Sequence, residues 1–244
     1  MSSNEVCKGQ VIIEYLLDET EYTYMYLSYI KQTGVPCISK QYKVPVTNDI
    51  VMQELELFCS NTADFLPAQA APRSKEPDGQ FFAFFTLFGE PIQTILSTES
   101  SLDAIDAKNI CIQFFNLIKF LAKKGVRLLK VPNPRFVFYS KREPKVLFLD
   151  ILEHEKSKKS EKEIIIESIP LVKGLLALLV QWIEDLSTES ETDMLLNDSE
   201  KEAVNFFVLC DKDPELAIQH AFVNGNLVSL FKKIESVPID FSFF

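Results

Sequence analysis

Residues 125–152 read GVRLLKVPNPRFVFYSKREPKVLFLDIL, and this stretch decides the fold. Two short apolar runs, FVFY and VLFLDIL, are separated by the polar turn SKREP, which is the pattern of a buried β-hairpin. Asp150 stands near the end of the second run. The residues before it are rich in cations: Lys130, Arg135, Lys141, Arg142 and Lys145. The sequence therefore predicts one carboxylate at the mouth of a buried hairpin, with positive charge around its approach.

The composition is that of a well-packed globular protein without a surplus of positive charge. The chain has 244 residues, of which 47% are hydrophobic and 20 are phenylalanine. This length is enough for one large domain or for two lobes. The formal net charge of −10 leaves no excess of Lys and Arg to neutralise phosphates, so a nucleic-acid partner is not expected.

Cysteine usage and hydropathy predict an intracellular, cytoplasmic protein. The five cysteines are odd in number and scattered, which is typical of reduced thiols and not of a disulfide framework or a metal site. The first ten residues lack the apolar segment of a signal peptide. The most apolar predicted helix, residues 169–183, is too short to span a bilayer and contains Lys173, so no membrane insertion is expected.

The first part of the chain reads as a small antiparallel sheet with one helix. Apolar and alternating runs predict strands over 11–17, 22–30, 36–44 and 81–88. An N-cap at Asn48 and an apolar stripe predict a helix over 47–61, and Pro, Gly and charged residues predict a loop over 68–80.

From about residue 90 the pattern changes to helices. Helical periodicity predicts helices over 100–126, 170–186, 200–210 and 214–235, the first ending at Gly125 and the last broken at Asn224-Gly225. The mixed charges of 153–163 predict a mobile, solvated segment. The chain therefore divides into an N-terminal tail (1–10), a strand-rich part (11–89), a helix-rich part (90–236) and an apolar C-terminal tail (237–244).

The order of these elements resembles the eukaryotic protein-kinase fold. TGVPCISKQY (33–42) is similar to the third-strand motif, with Lys40 as the phosphate-pairing lysine, and QELEL (53–57) offers Glu54, or alternatively Glu56, as its partner. FFAFFTLFGEPIQTIL (81–96) resembles the fifth strand, the hinge and the next helix, and NFFVLCDKDPELAIQHAFV (205–223) resembles the late helices. Over about residues 11–234, the resemblance implies an α+β, bilobal fold. It would have a small antiparallel sheet lobe with one helix and a larger, mainly helical lobe.

The positions that carry catalysis in that family are changed in this chain. Active kinases have H-R-D-x-x-x-x-N followed by D-F-G. Here Leu128, Leu129 and Lys130 stand in place of H-R-D, Arg135 replaces the Asn, and Asp150 keeps only the first residue of D-F-G. A protonated lysine cannot accept the proton of a substrate hydroxyl, and arginine cannot ligate a cation.

The glycine-rich loop that covers nucleotide phosphates is also lost. Asp18, Thr20 and Thr23 stand where three glycines would let backbone amides approach the phosphates. No A-P-E anchor precedes the predicted helix over 170–186. The chain therefore resembles a pseudokinase, for which neither ATP nor magnesium is expected as a cofactor.

Asp150 has three interpretations. It is a retained metal ligand that permits nucleotide binding without catalysis, the partner of Arg135 or Lys130 in the space of the former metal, or a solvated turn residue. Like charges about 4 Å apart cost about 4 kcal/mol near a protein surface, so a guanidinium at the metal position would weaken magnesium binding. The second interpretation is favoured, and it predicts that cations close a former active site.

Lys40 and Glu54 also have three interpretations. They are a preserved nucleotide-site pair, a structural salt bridge between helix and sheet, or two unrelated surface charges. The loss of the glycines favours the structural salt bridge. His154 and His220 are predicted to be structural. No other catalytic constellation stands out in the sequence.

Loss of the catalytic residues together with a retained apolar framework favours function through the surface. The leading hypothesis is an inactive scaffold or allosteric regulator of another protein, for example a kinase or a multi-protein complex. The alternatives are a nucleotide-binding protein with weak or unconventional phosphoryl transfer, and an unrelated α+β protein in which the motifs occur by chance. Candidate partner surfaces are the face around helix 47–61, the cationic region 123–145, and the C-terminal tail. In that tail, Phe241, Phe243 and Phe244 fold back or dock into a partner.

Overall fold

The computed structural model describes residues 11–43, 53–54, 56–57, 74–75, 81–86, 89–99, 101–142, 144–186 and 196–227, with backbone alone for 74–75 and 81–86. Four residues of the predicted helix over 47–61 fall in these ranges, and all four are helical: Gln53, Glu54, Glu56 and Leu57. Both predicted tails, with Phe241, Phe243 and Phe244, lie outside the described residues. The predictions made for those tails stay predictions.

The strand-rich part forms a five-stranded antiparallel sheet. Its strands are β1 (Val11–Glu19), β2 (Thr23–Ile30), β3 (Pro36–Tyr42), β4 (Ser74–Lys75) and β5 (Phe81–Thr86), in the order β1-β2-β3-β5-β4. Because a strand turns successive side chains to opposite faces, Met25 and Ile38 enter the core. The four predicted strands are confirmed with small changes at their ends, whereas β4 lies within the stretch predicted to be a loop.

Two register irregularities interrupt the pairing of β1 with β2, between Ile13 and Tyr15 and between Leu16 and Asp18. Bulges of this kind break the strict alternation of a strand and re-aim its side chains. As a result Tyr15 and Leu16 are both exposed although they are neighbours.

The opening stretch folds as predicted into a hairpin. Strands β8 (Val137–Ser140) and β9 (Lys145–Phe148) pair with each other, and the short strand β6 (Glu90–Pro91) adds to β8. A single 3₁₀ turn over Pro134–Phe136 precedes the hairpin, and the side chain of Asn133 caps it by accepting from the Arg135 N–H. The apolar residues of the hairpin that enter the core include Val137, Val146 and Phe148.

The rest of the described chain is mainly helical. The helices are α1 (Ile92–Glu99), α2 (Ala104–Lys123), α3 (Glu161–Glu167), α4 (Ile169–Leu179), α5 (Ile183–Leu186), α6 (Asp198–Lys212), α7 (Pro214–Ala217) and α8 (Ala221–Asn224). Helix α2 is central, because it packs against α3, α4, α6, α8 and the hairpin. None of the described helices combines the length and apolar character needed to cross a membrane.

Helix α2 is shorter than the predicted 100–126 because both ends are fixed by specific groups. The Asp103 carboxylate accepts from the backbone N–H groups of Ile105 and Asp106 and starts the helix. Gly125 has φ +67°, a left-handed conformation that favours glycine, and it terminates the helix as predicted.

The segment 153–163 was predicted to be mobile and solvated; most of its residues are exposed, as predicted, but the segment also contains regular structure. Strand β10 (His154–Lys156) pairs with β7 (Val126–Leu128) in a second, two-stranded sheet. Ser160 then caps α3 in a capping box with Glu163, in which each side chain bonds to the other residue's backbone N–H. The local charge pattern does not indicate strand β10, because this strand depends on pairing with β7, which is distant in sequence.

The predicted helices over 170–186 and 214–235 are interrupted. Val180, with φ −126° and ψ 82°, leaves helical conformation and separates α4 from α5. In the later stretch, Asp213 caps α7 and His220 caps α8, so the described part holds two single turns instead of one helix. One apolar cluster joins these helices to the hairpin and to the inner face of the sheet, and the fold is mixed α+β.

Candidate functional site

Three side chains predicted from separate motifs meet in one buried ion cluster. The Lys40 ammonium donates to both carboxylate oxygens of Glu54, at 2.8 and 2.9 Å, and to Asp150 Oδ1 at 3.1 Å. It also donates to the backbone carbonyl of Leu149 at 3.1 Å. Lys40 and Glu54 are completely buried, whereas the Asp150 side chain is 18% exposed. One ammonium group therefore connects the sheet, the helical segment of Glu54 and the end of the hairpin.

The local structure explains why these groups meet. In β3, Lys40 lies opposite Met25 of β2 and Ala83 of β5, so it stands in the middle of the sheet. Asp150 is two residues after the end of β9, and the N–H of Leu149 donates to the Phe136 carbonyl at 2.9 Å. The hairpin thus positions Asp150 at the inner face of the sheet.

Glu54 has enough donors to be buried as a carboxylate. Besides Lys40, it accepts from the Tyr42 hydroxyl at 2.8 Å and from the Ile151 N–H at 2.9 Å. Tyr42 is two residues after Lys40 on the same face of β3, and its ring centroid lies 5.4 Å from the Lys40 Nζ. A buried carboxylate with this many hydrogen bonds is stabilised in its ionised form.

Burial and charge act in opposite directions on the cluster. Burial lowers the pKa of Lys40, but the carboxylates of Asp150 and Glu54 outweigh it and leave that pKa raised. Burial raises the pKa of Glu54, and the Lys40 ammonium partly offsets this effect. The charge of each group therefore depends on the presence of its partner.

A buried histidine, His154, contacts the two chain segments that carry Glu54 and Asp150. His154 Nδ1 lies 2.7 Å from the Ile151 carbonyl oxygen, and Nε2 lies 3.1 Å from Oε1 of Gln53, the residue before Glu54. Because a carbonyl only accepts, Nδ1 carries the hydrogen, and Nε2 of the neutral ring is then an acceptor that bonds to Gln53 once its side-chain amide is turned to present the NH₂ group. Burial lowers the pKa of His154 and favours the neutral ring. His154 was predicted to be structural, and its position links the helical segment of Glu54 to the chain beyond Asp150.

The cations predicted to fill the space beside Asp150 are paired with other acids. Arg135 Nη1 is 3.2 Å from Asp18 Oδ2, and Lys130 Nζ is 2.6 Å from Glu153 Oε2. The favoured pairing of Asp150 with Arg135 or Lys130 is therefore wrong, since the cation beside Asp150 is Lys40. The side chains of Arg135 and Lys130 are 58% and 69% exposed. Both keep hydration that an inward position would remove.

The other two replaced positions of the catalytic motif have different environments. Leu128 is buried in β7, where it pairs with His154 of β10. Leu129 is 45% exposed, and its N–H donates to the Glu153 carbonyl at 2.9 Å. Neither side chain carries a group that could take part in proton transfer.

One cavity is lined in part by Asp150 of the cluster, and a second is lined by Met25, which lies opposite Lys40 in the sheet. The larger, of about 470 Å³, is lined by the β1–β2 turn and by parts of 128–133 and 150–154, including Asp150 and Lys130. The smaller, of about 230 Å³, has a mainly apolar lining that includes Leu17, Met25 and Phe138. The ion pair of Asp18 with Arg135 contributes to the lining of the smaller cavity.

Sequence reasoning found the three charged members of the cluster and missed two supporting residues. Tyr42 could have been found from its i, i+2 spacing to Lys40, which places both on one face of a strand. The role of His154 has no local signal, because its partners Gln53 and Ile151 are set by the tertiary fold. Among the described residues, no group of three or more His, Cys, Asp and Glu side chains is placed to hold a metal ion.

Comparison with known proteins does not identify a family for this chain. No protein-family model matches the sequence, and no curated protein matches it significantly. The kinase-like interpretation therefore depends on the motifs and on the cluster that they form.

Proposed function

We propose that this protein is a catalytically inactive, kinase-like protein that works by binding another protein, as a scaffold or an allosteric regulator. The observation that carries the proposal is the enclosure of Lys40, whose ammonium is fully buried and donates to Glu54, Asp150 and the Leu149 carbonyl. In the family that the sequence resembles, this lysine pairs with nucleotide phosphates. Here a phosphate would reach the ammonium only after the cluster is disrupted.

The residues around Asp150 fit a magnesium-bound nucleotide poorly. Asp150 Oδ1 already accepts from Lys40. Arg135 stands at the position of the second metal ligand, and a guanidinium has no lone pair to offer a cation. Magnesium prefers several oxygen ligands, and one carboxylate supplies only part of such a set.

The position of the catalytic base supports inactivity independently. Lys130 stands where the kinase family has its aspartate, and its ammonium is paired with Glu153 at 2.6 Å. A group held in its protonated form by a carboxylate cannot accept the proton of a substrate hydroxyl. Phosphoryl transfer would lack both its base and its metal-binding pair.

Exposed apolar side chains support action through the surface. Ile12, Tyr15 and Leu16 are 42%, 53% and 48% exposed on β1, which lies at the edge of the sheet in the described part of the chain. Scattered exposed apolar residues are common, but a group of them on one edge strand favours a protein contact.

A second candidate function is nucleotide binding with weak or unconventional phosphoryl transfer. It is favoured by the direct contact of Lys40 with Glu54, at 2.8 Å, and by the position of Asp150 on the wall of the larger cavity. This candidate requires Lys40 to exchange one of its protein acceptors for a phosphate oxygen.

A thermal-shift titration with ATP and MgCl₂ separates the two candidates. A ligand present at a hundred times its dissociation constant stabilises the folded state by about 2.7 kcal/mol. We expect no shift at millimolar ATP, with or without magnesium. A magnesium-dependent shift that Asp150→Asn abolishes would establish the second candidate instead.

The binding half of the proposal needs its own measurement. We expect affinity capture from the native cells, read by quantitative mass spectrometry, to return the same partners with and without added ATP and magnesium. The matched control is Arg135→Gln, which changes the predicted nucleotide cleft at an exposed position. Partners released by nucleotide, or the absence of any stoichiometric partner, would contradict the proposal.

A further inference from the structure

Four lysines are the chain neighbours of two residues that share a backbone hydrogen bond at the end of the two-stranded sheet. The Ser157 N–H donates to the Gly125 carbonyl at 2.8 Å. Lys123 and Lys124 directly precede Gly125, and Lys156 and Lys158 flank Ser157 in the chain; all four are exposed. These four residues are called the lysine patch below.

The lysine patch is not neutralised by nearby acids. No member has a carboxylate within ion-pair distance among the described residues, although the chain has 35 acidic against 25 basic residues. The acids beside it serve other cations: Glu155 and Glu167 hold Arg127, and Glu153 holds Lys130. Acids are therefore abundant in the chain, yet the patch keeps its positive charge.

The helix dipole explains only part of this arrangement. Lysines at the C-terminus of a helix are stabilised by its partial negative charge, which accounts for Lys123 and Lys124 at the end of α2. Lys156 and Lys158 belong to a different segment that the Ser157–Gly125 hydrogen bond brings to the same helix end, so the dipole favours a cation there but does not require four of them. Lys119, one turn before Lys123, has its pKa lowered by burial and by the charge of Lys123, so repulsion between cations is already present on this surface.

We propose that the lysine patch binds an acidic segment of a partner protein, rich in aspartate and glutamate side chains. This inference deepens the proposed function, on which it rests, by naming the chemistry of the partner.

An acidic peptide fits the patch better than a larger polyanion does. Nucleic acid and an anionic membrane carry negative charge over an area that extends beyond the patch onto the acidic surface of a chain with net charge −10, whereas a short acidic segment contacts the patch alone. Lysine ammonium groups are compact point charges that suit single carboxylates, whereas phosphate recognition usually employs the planar fork of arginine. All four cations here are lysines.

Fluorescence anisotropy with a labelled peptide of alternating glutamate and glycine tests the proposal. The neutral peptide of alternating glutamine and glycine is the ligand control. Replacing all four patch lysines by glutamine should weaken binding about fourfold or more, because four exposed ion pairs are lost. Wild-type binding should also weaken as salt is raised.

A matched variant removes the same charge elsewhere on the surface. It carries glutamine at Lys31, Lys162, Lys201 and Lys212, and its affinity for the acidic peptide should stay within about twofold of wild type. Equal loss in both variants, or no binding by wild type, would overturn the proposal. So would stronger patch-dependent binding to vesicles containing phosphatidylserine, or to single-stranded RNA, than to the peptide. The ATP titration measures nucleotide binding beside Asp150 and does not involve the lysine patch. A failure of the proposed function and a failure of the lysine-patch proposal can therefore be told apart.

Discussion

Replacing Lys40 with methionine tests the buried ion cluster directly. The change removes the ammonium while keeping much of the side-chain volume, and it leaves Glu54 buried without its cation. Removing one partner of a buried pair typically destabilises by about 3–5 kcal/mol. The Tyr42 hydroxyl and the Ile151 N–H still donate to Glu54, so we expect a loss near the lower end of that range.

Urea denaturation at pH 7, with linear extrapolation, measures this loss in the free energy of unfolding. Domains have about 5–15 kcal/mol of stability, so the variant should still fold and give a complete transition. The matched control is Arg135→Gln, which breaks the exposed ion pair with Asp18 and should cost at most about 1 kcal/mol.

The pH dependence of Lys40→Met gives a second, independent readout. Burial raises the pKa of Glu54, and the variant lacks the ammonium that lowers it. The folded variant therefore binds a proton more readily than the unfolded chain, whose glutamate has a pKa near its ordinary value of 4.5. Its stability is greatest below that value and falls as pH rises towards the folded-state pKa. The deficit relative to wild type should shrink as the solution is acidified, and a deficit below about 1 kcal/mol at pH 7 would refute the reasoning.

Four further substitutions test the packing of the fold, each by urea denaturation. Gly89 has φ +62° and an added Cβ would lie 2.3 Å from the Tyr139 carbonyl oxygen, so Gly89→Ala should cost well over the roughly 1–2 kcal/mol of a left-handed residue. Gly34→Ala, with φ +68° and open space, should cost only that amount. Tyr139→Phe removes the donor to Asp106 Oδ1 and should cost about 1–3 kcal/mol. That loss should grow above pH 3.8, because burial raises the pKa of Asp106 and the variant raises it further. Burial lowers the pKa of His154, so wild-type stability should fall as pH drops through 6.5, and His154→Leu should abolish that part of the fall.

The elements predicted correctly are those whose signals are local. The hairpin of 136–148 follows from two apolar runs and a polar turn, and both strands form where predicted. Gly125 ends α2 as expected, because a left-handed residue is a property of the chain at that point. Ser160 with Glu163 was a readable capping-box signal in a segment that was instead interpreted from its charge.

The elements missed are those that need a distant partner. Strand β10 contains only His154, Glu155 and Lys156, and no strand propensity marks these residues. They form a strand because β7 offers a backbone edge, with Lys156 opposite Val126. The short strand β6 likewise exists only because β8 lies beside it.

The pairing of Asp150 shows what charge patterns in a sequence leave undetermined. Six cations occur between residues 125 and 149, directly before Asp150, yet its partner is Lys40, 110 residues away. Hydration explains this choice, because Arg135 and Lys130 can pair with Asp18 and Glu153 while they remain largely in water. Lys40 has no such option, since β3 directs it into the core, where only a carboxylate offsets the cost of burying an ammonium. The cation whose backbone position forces burial therefore takes the buried acid, and sheet register predicts the pair better than proximity in sequence does.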